Sequence, residues 1–527
     1  MVDEQARAVE REIDAAYTQH PLLNYPYGEA LTATLVAANA LLAPFANTTA
    51  AEYGVAVDTV INALKHAVVW LWKSRSRQRL VEPIGDPVQH AKSFVLLAVE
   101  YLGMETAYKH AGFGLVDLTC KGGTLTVSGA LLEKQQYEAY NELIKSSNQV
   151  TADDVETART SGERLMEAIT GAGLRGVPIS RVPLDARVLS VAYKAMADRA
   201  AKTHLLPGDW RFGRFSLRVF RAVHSVLCAI VYIWNRLAPV LAREPWFIRH
   251  AADQPFVITR GEILTAVSGA GGISKAETRA VMDLLEYGAA GISNPDPALQ
   301  PLLALPDGRY LLSLPLILSS AAERNLAVLL NRIPDEKTRY ARLTNQKEAE
   351  MRTRMCHRLG SRFKFWNGFL DGYEVDLAIV DPADQSLLLL ELKWFIDPAE
   401  IRELRDKSEE LSKGIDQCKK LLQVAPSGLA RIPGAPFRTV GAAVVSANWI
   451  GFGNIQDADV PILTEEHIVR KLQLGASLEE VIQWLRNRSY LPVVDRDYAV
   501  VKRPSKVSKW TLDWYRIERL RDDFMPL

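Results

Sequence analysis

Two neighbouring apolar segments constrain this chain more than any other stretch: GYEVDLAIVD, ending at Asp381, and SLLLLELKW, beginning at Ser386. Between them Pro382-Ala383-Asp384-Gln385 has the composition of a turn, so the pair predicts an antiparallel hairpin. With Asp381 facing Ser386 across that turn, the register sets Asp376 opposite Glu391. Alternate side chains of a strand share a face. Glu374 therefore joins Asp376, and Lys393 joins Glu391. Val375, Leu377, Ile379, Leu390 and Leu392 fall on the opposite face, which suits burial.

The charged face has a definite chemistry. Two carboxylates held close together repel unless a cation lies between them, and hard oxygen ligands suit Mg²⁺ or Mn²⁺. Such an ion lowers the pKa of its water and neutralises charge building on a phosphate. A lysine two residues from a ligand can orient that water or stabilise the transition state. Asp376, then Glu391-x-Lys393 on the next strand, is a workable phosphodiester-cleaving centre. The bland alternative, a surface hairpin with ordinary charges, leaves the acids on a largely apolar hairpin without compensation.

The stretch from roughly residue 336 to 470 resembles the PD-(D/E)xK, or restriction-endonuclease-like, nuclease superfamily. Asp376, Glu391 and Lys393 carry the resemblance; Val375 stands where the pattern has proline. The resemblance implies that Asp376 and Glu391 hold the metal, with the carbonyl of Leu392 as a further ligand. It implies that Lys393 activates water, that Glu348 on the preceding helix and Gln417 on the following one support them, and that DNA rather than RNA is cut. A large helical extension on such a nuclease suggests, by analogy, prokaryotic antiviral defence. The competing reading is a non-cleaving nucleic-acid-binding or scaffold protein on the same fold.

Glu348, Met351, Met355 and Leu359 share one face of a helix expected from Asn345 to Leu359, so Glu348 is either a boundary residue or an inward acid. Glu350 lies on the other side with Arg354 and His357. Arg354, Arg358 and Arg362 form either a basic ridge for phosphates or a solvated face. On the charged helix expected from Pro398 to Val424, Gln417 is either an exposed glutamine or a group reaching the site, and Lys419 and Lys420 are backbone-contacting or solvated.

With 527 residues the chain is long enough for several domains, and a net charge of +1 means that any nucleic-acid surface is local. Cys120, Cys228, Cys356 and Cys418 form no C-x-x-C pair, against a zinc knuckle and in keeping with a reducing cytoplasm. The N-terminus reads as a charged helix rather than a signal peptide. The apolar run Ser225–Trp234 is too short to span a bilayer, so no membrane association is expected.

The expected organisation is multidomain. Residues 1–250 are mainly α-helical, with a small β-hairpin over Gly114–Val127 and a capping-box spacing at Thr151-x-x-Asp154. This half would serve as a sensor, a DNA-guiding arm, or the surface for a protein partner or homo-oligomer. Residues 251–335 have the helix, helix, hairpin order of a small winged-helix-like α+β module, with Asp307-Gly308 at the turn. Pro334–Thr344 reads as a polar linker. Residues 336–527 read as an α/β domain with a mixed sheet and a helical C-terminal tail that turns polar and basic around Lys502 to Lys509 and is pinned by Trp510, Trp514 and Tyr515. The scattered histidines, His66, His90, His110, His204 and His224, read as fillers of core or surface.

Overall fold

The computed structural model describes residues 2–45, 50–76, 85–145, 152–241, 255–289, 291–292, 294–398, 401–507 and 509–521. The chain divides into two compact units: Met1–Ala8, Met104–Gln149 and Ala341–Leu527 form one, and Val9–Gly103 with Val150–Tyr340 form the other. The expected boundaries differ. The module of residues 251–335 is not separate from the helical unit, and the segment from Met104 belongs with the C-terminal unit. Helix Gln135–Lys145 explains the latter. Its Asn141 donates to the Gly451 carbonyl at 2.9 Å and accepts from the Ile450 N–H at 3.0 Å, while the Tyr140 hydroxyl lies 2.9 Å from His467 Nδ1. Contacts so distant in sequence leave no local signal.

The C-terminal unit is built on a five-stranded mixed sheet. In chain order its elements are α1 (Pro334–Leu359), β1 (Lys364–Leu370), β2 (Tyr373–Asp381), β3 (Ser386–Lys393), α2 (Ile401–Leu422), β4 (Thr439–Ser446), β5 (Ile462–Thr464), α3 (Glu465–Gln473) and α4 (Leu478–Arg486). The strand order is β5-β4-β3-β2-β1. β1, β2 and β3 are antiparallel neighbours, whereas β3, β4 and β5 run parallel. Asp381 pairs with Ser386 as the turn composition predicts.

Both faces of the sheet are covered. A Cβ at Gly414 of α2 would meet Val444 and Glu391, and one at Gly441 of β4 would meet Ile482 of α4, so the two helices lie on opposite faces. Every residue from Ser386 to Leu392 is consequently buried, where the sequence reading required only one apolar face. Near-continuous burial of this kind is what a strand covered on both sides demands.

Three further expectations are corrected. Pro334–Thr344 is not a linker but the start of α1, where proline opens the helix and Asp335 and Glu336 sit in its first turn. The C-terminal tail is helical only through Arg486; Tyr498–Val507 and Trp510–Arg519 form an antiparallel ribbon, joined to the hairpin Asp117–Lys121 and Thr124–Ser128 in a four-stranded sheet. Its β-branched and aromatic residues (Val500, Val501, Trp514, Tyr515, Ile517) favour extended backbone. The apolar run at Ser225 lies inside a helix, Leu217–Leu241, whose segment Leu217–Leu237 is long and apolar enough to cross a membrane, as are Tyr27–Phe45 and Tyr53–Ser74. The capping-box residue Thr151 lies outside the described residues.

The other unit is mainly helical, with a core built from helices Tyr27–Leu42, Ala50–Ser74 and Pro87–Gly112 around Leu31, Leu35, Leu64, Trp70 and Phe94. It also holds strand Phe256–Thr259, helices Arg260–Gly271 and Lys275–Leu285, and strands Leu303–Ala304 and Arg309–Leu312, the three strands pairing as one small sheet. Its His224 is fully packed, with Nε2 2.9 Å from the Ser320 hydroxyl, and burial pushes its pKa down to about 4.

Leu389 is fully buried in the middle strand of the five-stranded sheet. Leu389→Ala is expected to cost about 2–5 kcal/mol, read as a lower denaturant midpoint for the C-terminal unit; an unchanged midpoint would remove β3 from the core.

Candidate functional site

The β2–β3 ladder ends at Leu377 and Leu390, one pair short of Asp376 and Glu391. Beyond that point the strands part. The Leu392 N–H donates instead to Asp376 Oδ2 at 2.8 Å, so a side-chain oxygen takes the place of a ladder carbonyl. This fixes the Asp376 carboxylate between the strands. The parting also leaves Asp376 and Lys393 half-buried, while Glu391 is only 2 % exposed.

Lys393 Nζ donates to Glu391 Oε1 at 2.6 Å. The other oxygen, Glu391 Oε2, is buried and has no hydrogen-bond partner among the described residues. Burial, followed by the nearby Asp376 carboxylate, pushes the Glu391 pKa up to about 7 against the pull of Lys393. Burial works against the charge on Lys393, but Glu391, Glu348 and Asp376 outweigh it and hold its pKa above the ordinary lysine value.

α1 brings in Glu348. Met351, Met355 and Leu359 are buried as the spacing predicts, and this anchors the face that carries it. Glu348 Oε1 accepts from the Trp394 N–H at 3.3 Å, one residue beyond Lys393. Burial raises its pKa, with Asp376 and Glu410 adding to the effect and Lys393 opposing it. Gln417 of α2 reaches the mouth of β2, where its Nε2 donates to the Glu374 carbonyl at 3.0 Å. Glu348 is thus brought to the Asp376, Glu391 and Lys393 cluster, whereas Gln417 holds the backbone at its edge.

Arg354 and Arg358 of α1, and Arg362 in the turn that follows it, are engaged within the unit. Arg354 forms a two-pronged pair with Glu465 and Arg358 another with Glu466, both acids lying in the first turn of α3; Arg362 donates to the carbonyls of Leu472 and Ala476. These side chains brace α1 against α3 and do not form a phosphate ridge. Lys419 likewise pairs with Asp457, and Lys420 lies over the Tyr373 ring.

Two contributors escaped sequence reasoning. Arg352, one turn after Glu348 and on the same face, donates through Nη1 to the Asp376 carbonyl at 3.3 Å and makes no ion pair among the described residues. The spacing of four from Glu348 was the available signal. Gly414 is the other. A Cβ there would lie 3.3 Å from Glu391 Cγ and 3.2 Å from a Val444 methyl, so a side chain at this position would press on the stem of the acid.

The donor set suits a hard cation. The orphaned Glu391 Oε2, the Asp376 carboxylate and nearby backbone oxygens are all oxygen ligands of the kind that Mg²⁺ and Mn²⁺ take. Among the described residues no three His, Cys, Asp or Glu side chains are grouped at metal-holding distance. A cation here would rest on two carboxylates, with backbone and water completing its shell. A separate cavity, lined by Gly28, Thr32, Val36, Pro87 and Leu305, lies in the other unit and contains none of these groups.

Compared with known proteins, the chain matches no family model, no curated protein and no solved structure.

The Glu391 carboxyl gives a pH test on metal-free protein. Its folded pKa of about 7 exceeds the ordinary 4.5, so its contribution to stability is complete below about pH 4.5 and is lost as pH rises through 7. Glu391→Gln removes that loss. The thermal midpoint of the variant minus that of the native chain is therefore expected to grow between pH 4.5 and 7.5. A constant difference would mean that the acid titrates normally.

Proposed function

We propose that this chain is a metal-dependent nuclease whose C-terminal unit has the restriction-endonuclease-like fold and hydrolyses phosphodiester bonds in DNA. The observation that carries the reading is the buried, unpartnered oxygen of Glu391 beside Asp376 and Lys393. A buried carboxylate is costly unless its charge is compensated. Here the lysine occupies only one oxygen.

Asp376, Glu391 and the Leu392 carbonyl would hold Mg²⁺ or Mn²⁺, which when bound supplies acidified water and neutralises phosphate charge. The chain's own side chains do the rest. The Leu392 N–H locks the orientation of the Asp376 carboxylate, and Lys393, within reach of Glu391, presents an ammonium proton to the attacked phosphate or the entering water. Glu348, whose pKa burial raises, would exchange a proton with that water. Arg352 uses one donor on the Asp376 backbone and keeps the others for a phosphate oxygen. Hydrolysis then adds the water oxygen to phosphorus and releases the 3′ oxygen.

The small strand–helix–helix–strand–strand assembly from Phe256 to Leu312 has the order of a winged helix. Arg211, Arg214 and Arg260, which face its acids, are engaged with Glu277 and Asp283, which favours a packing role over a phosphate-reading one. A second reading, a nuclease-like fold that binds without cutting, draws on the Lys393–Glu391 pair, because an ion pair can satisfy the acid in part without a metal.

The two readings separate on plasmid and oligonucleotide substrates with Mg²⁺ or Mn²⁺. Cleavage that vanishes in Asp376→Ala is expected. Lys393→Ala is expected to stop turnover yet keep calorimetric Mg²⁺ affinity, whereas Glu391→Ala loses both; equal Mg²⁺ affinity in Glu391→Ala and the native chain would refute the ligand assignment. Arg352→Ala is expected to lower kcat/KM by about 10²–10³-fold, the scale of losing one preorganised donor, and Arg352→Lys to recover only part. Binding without cleavage by the native chain on every DNA and RNA tried would establish the second reading.

A further inference from the structure

We infer that the ribbon of Tyr498–Val507 and Trp510–Arg519 is a docking surface for the phosphate backbone of duplex DNA, an assignment that rests on the nuclease reading for the identity of its polyanion. The four-stranded sheet runs Asp117–Lys121, Thr124–Ser128, Trp510–Arg519, Tyr498–Val507, which leaves Tyr498–Val507 at the edge. Lys502, Arg503 and Lys506 on that strand are exposed and have no ion pair among the described residues. This sets them apart from Arg354, Arg358 and Arg260, each of which pairs with a carboxylate.

The cross-strand register explains why they are unpaired. Lys502 faces Tyr515, Arg503 faces Trp514 and Lys506 faces Thr511, so none of the three has an acid opposite. From Tyr498 to Arg521 the sequence carries seven Lys or Arg against Asp513 and Glu518, in a chain whose total charge is only +1, with Arg521 paired to Asp497 just before the ribbon. Glu518 is itself taken by Arg516. The result is a concentrated basic strip in the same unit as the candidate site.

Like charges gathered this way raise the energy of the free protein and are relieved by an anionic surface. Lys502 and Lys506 share one face and Arg503 lies on the other, so cations line both sides of an edge whose outward N–H groups have no ladder partner. Phosphate oxygens accept from both kinds of donor.

The test is fluorescence anisotropy with a labelled 20-base-pair duplex in EDTA, from 50 to 200 mM salt. It compares the full-length native chain, Lys502→Ala/Arg503→Ala/Lys506→Ala, and a control lacking the exposed Lys73, Lys194 and Lys202. The ribbon variant is expected to bind at least about tenfold more weakly and to lose about 2–3 from the slope of log affinity against log salt, near 0.9 for each phosphate contact. The control is expected to match the native chain. Lys502→Arg/Lys506→Arg, which keeps the charge, is expected to retain binding and so separates a charge effect from damage to the ribbon. Native affinity and slope in the triple variant would overturn the assignment. Self-association of that variant with unchanged DNA affinity would overturn it too, since edge cations would then serve only to prevent strand pairing. Parallel digests with Mg²⁺ keep the two proposals apart. Ribbon-dependent binding by a native chain that cuts nothing sinks the nuclease reading alone; cutting by a native chain whose binding ignores the ribbon sinks the ribbon alone.

Discussion

The hydrogen bond from the Leu392 N–H to Asp376 Oδ2 decides the geometry around it. Had the ladder continued, Asp376 and Glu391 would be an ordinary cross-strand pair of like charges, destabilising on any sheet. Because it stops at Leu377 and Leu390, the aspartate becomes part of the backbone bonding and the strands open at their acidic ends. That opening admits Glu348 from one side and α2 from another. The rest of the unit keeps the arrangement rigid: the fully buried β3, the helices on both faces, and the arginine braces between α1 and α3.

Electrostatics and packing act in opposite directions here. Burial, the largest influence on both Glu391 and Glu348, favours their neutral forms. Lys393 pulls the other way for both, and its own charge is sustained by the same acids. A cluster with more acid than base in a poorly solvated place is under electrostatic load, the state in which a binding cation or phosphate gains most. Arg352 adds a positive group that makes no ion pair among the described residues. The charges of Arg354 and Arg358, by contrast, are spent on holding the helices together.

Much of the candidate site was legible because hairpin register is set by local pattern. The turn at Pro382–Gln385 fixed Asp381 opposite Ser386, and the alternation then sorted Asp376, Glu391 and Lys393 from Val375 and Leu390. The helical spacing of Met351, Met355 and Leu359 likewise turned Glu348 inward. What was not legible depends on partners far along the chain. The fate of Arg354 and Arg358 depends on Glu465 and Glu466, more than a hundred residues away. The membership of Met104–Gln149 in the C-terminal unit depends on Asn141 and Tyr140 meeting residues beyond 449. The basic stretch after Lys502 was visible as composition, but its strand pairing was not.

Gly414 leaves no side chain between α2 and the sheet, and the Val444 methyls and the stem of Glu391 take up that room. With the Glu391 stem and a Val444 methyl so near its backbone, a side chain at this position would press on the strand that carries the acid. A larger residue there would displace β3 and the acid with it, so the bare backbone of α2 helps to set where the Glu391 carboxyl stands.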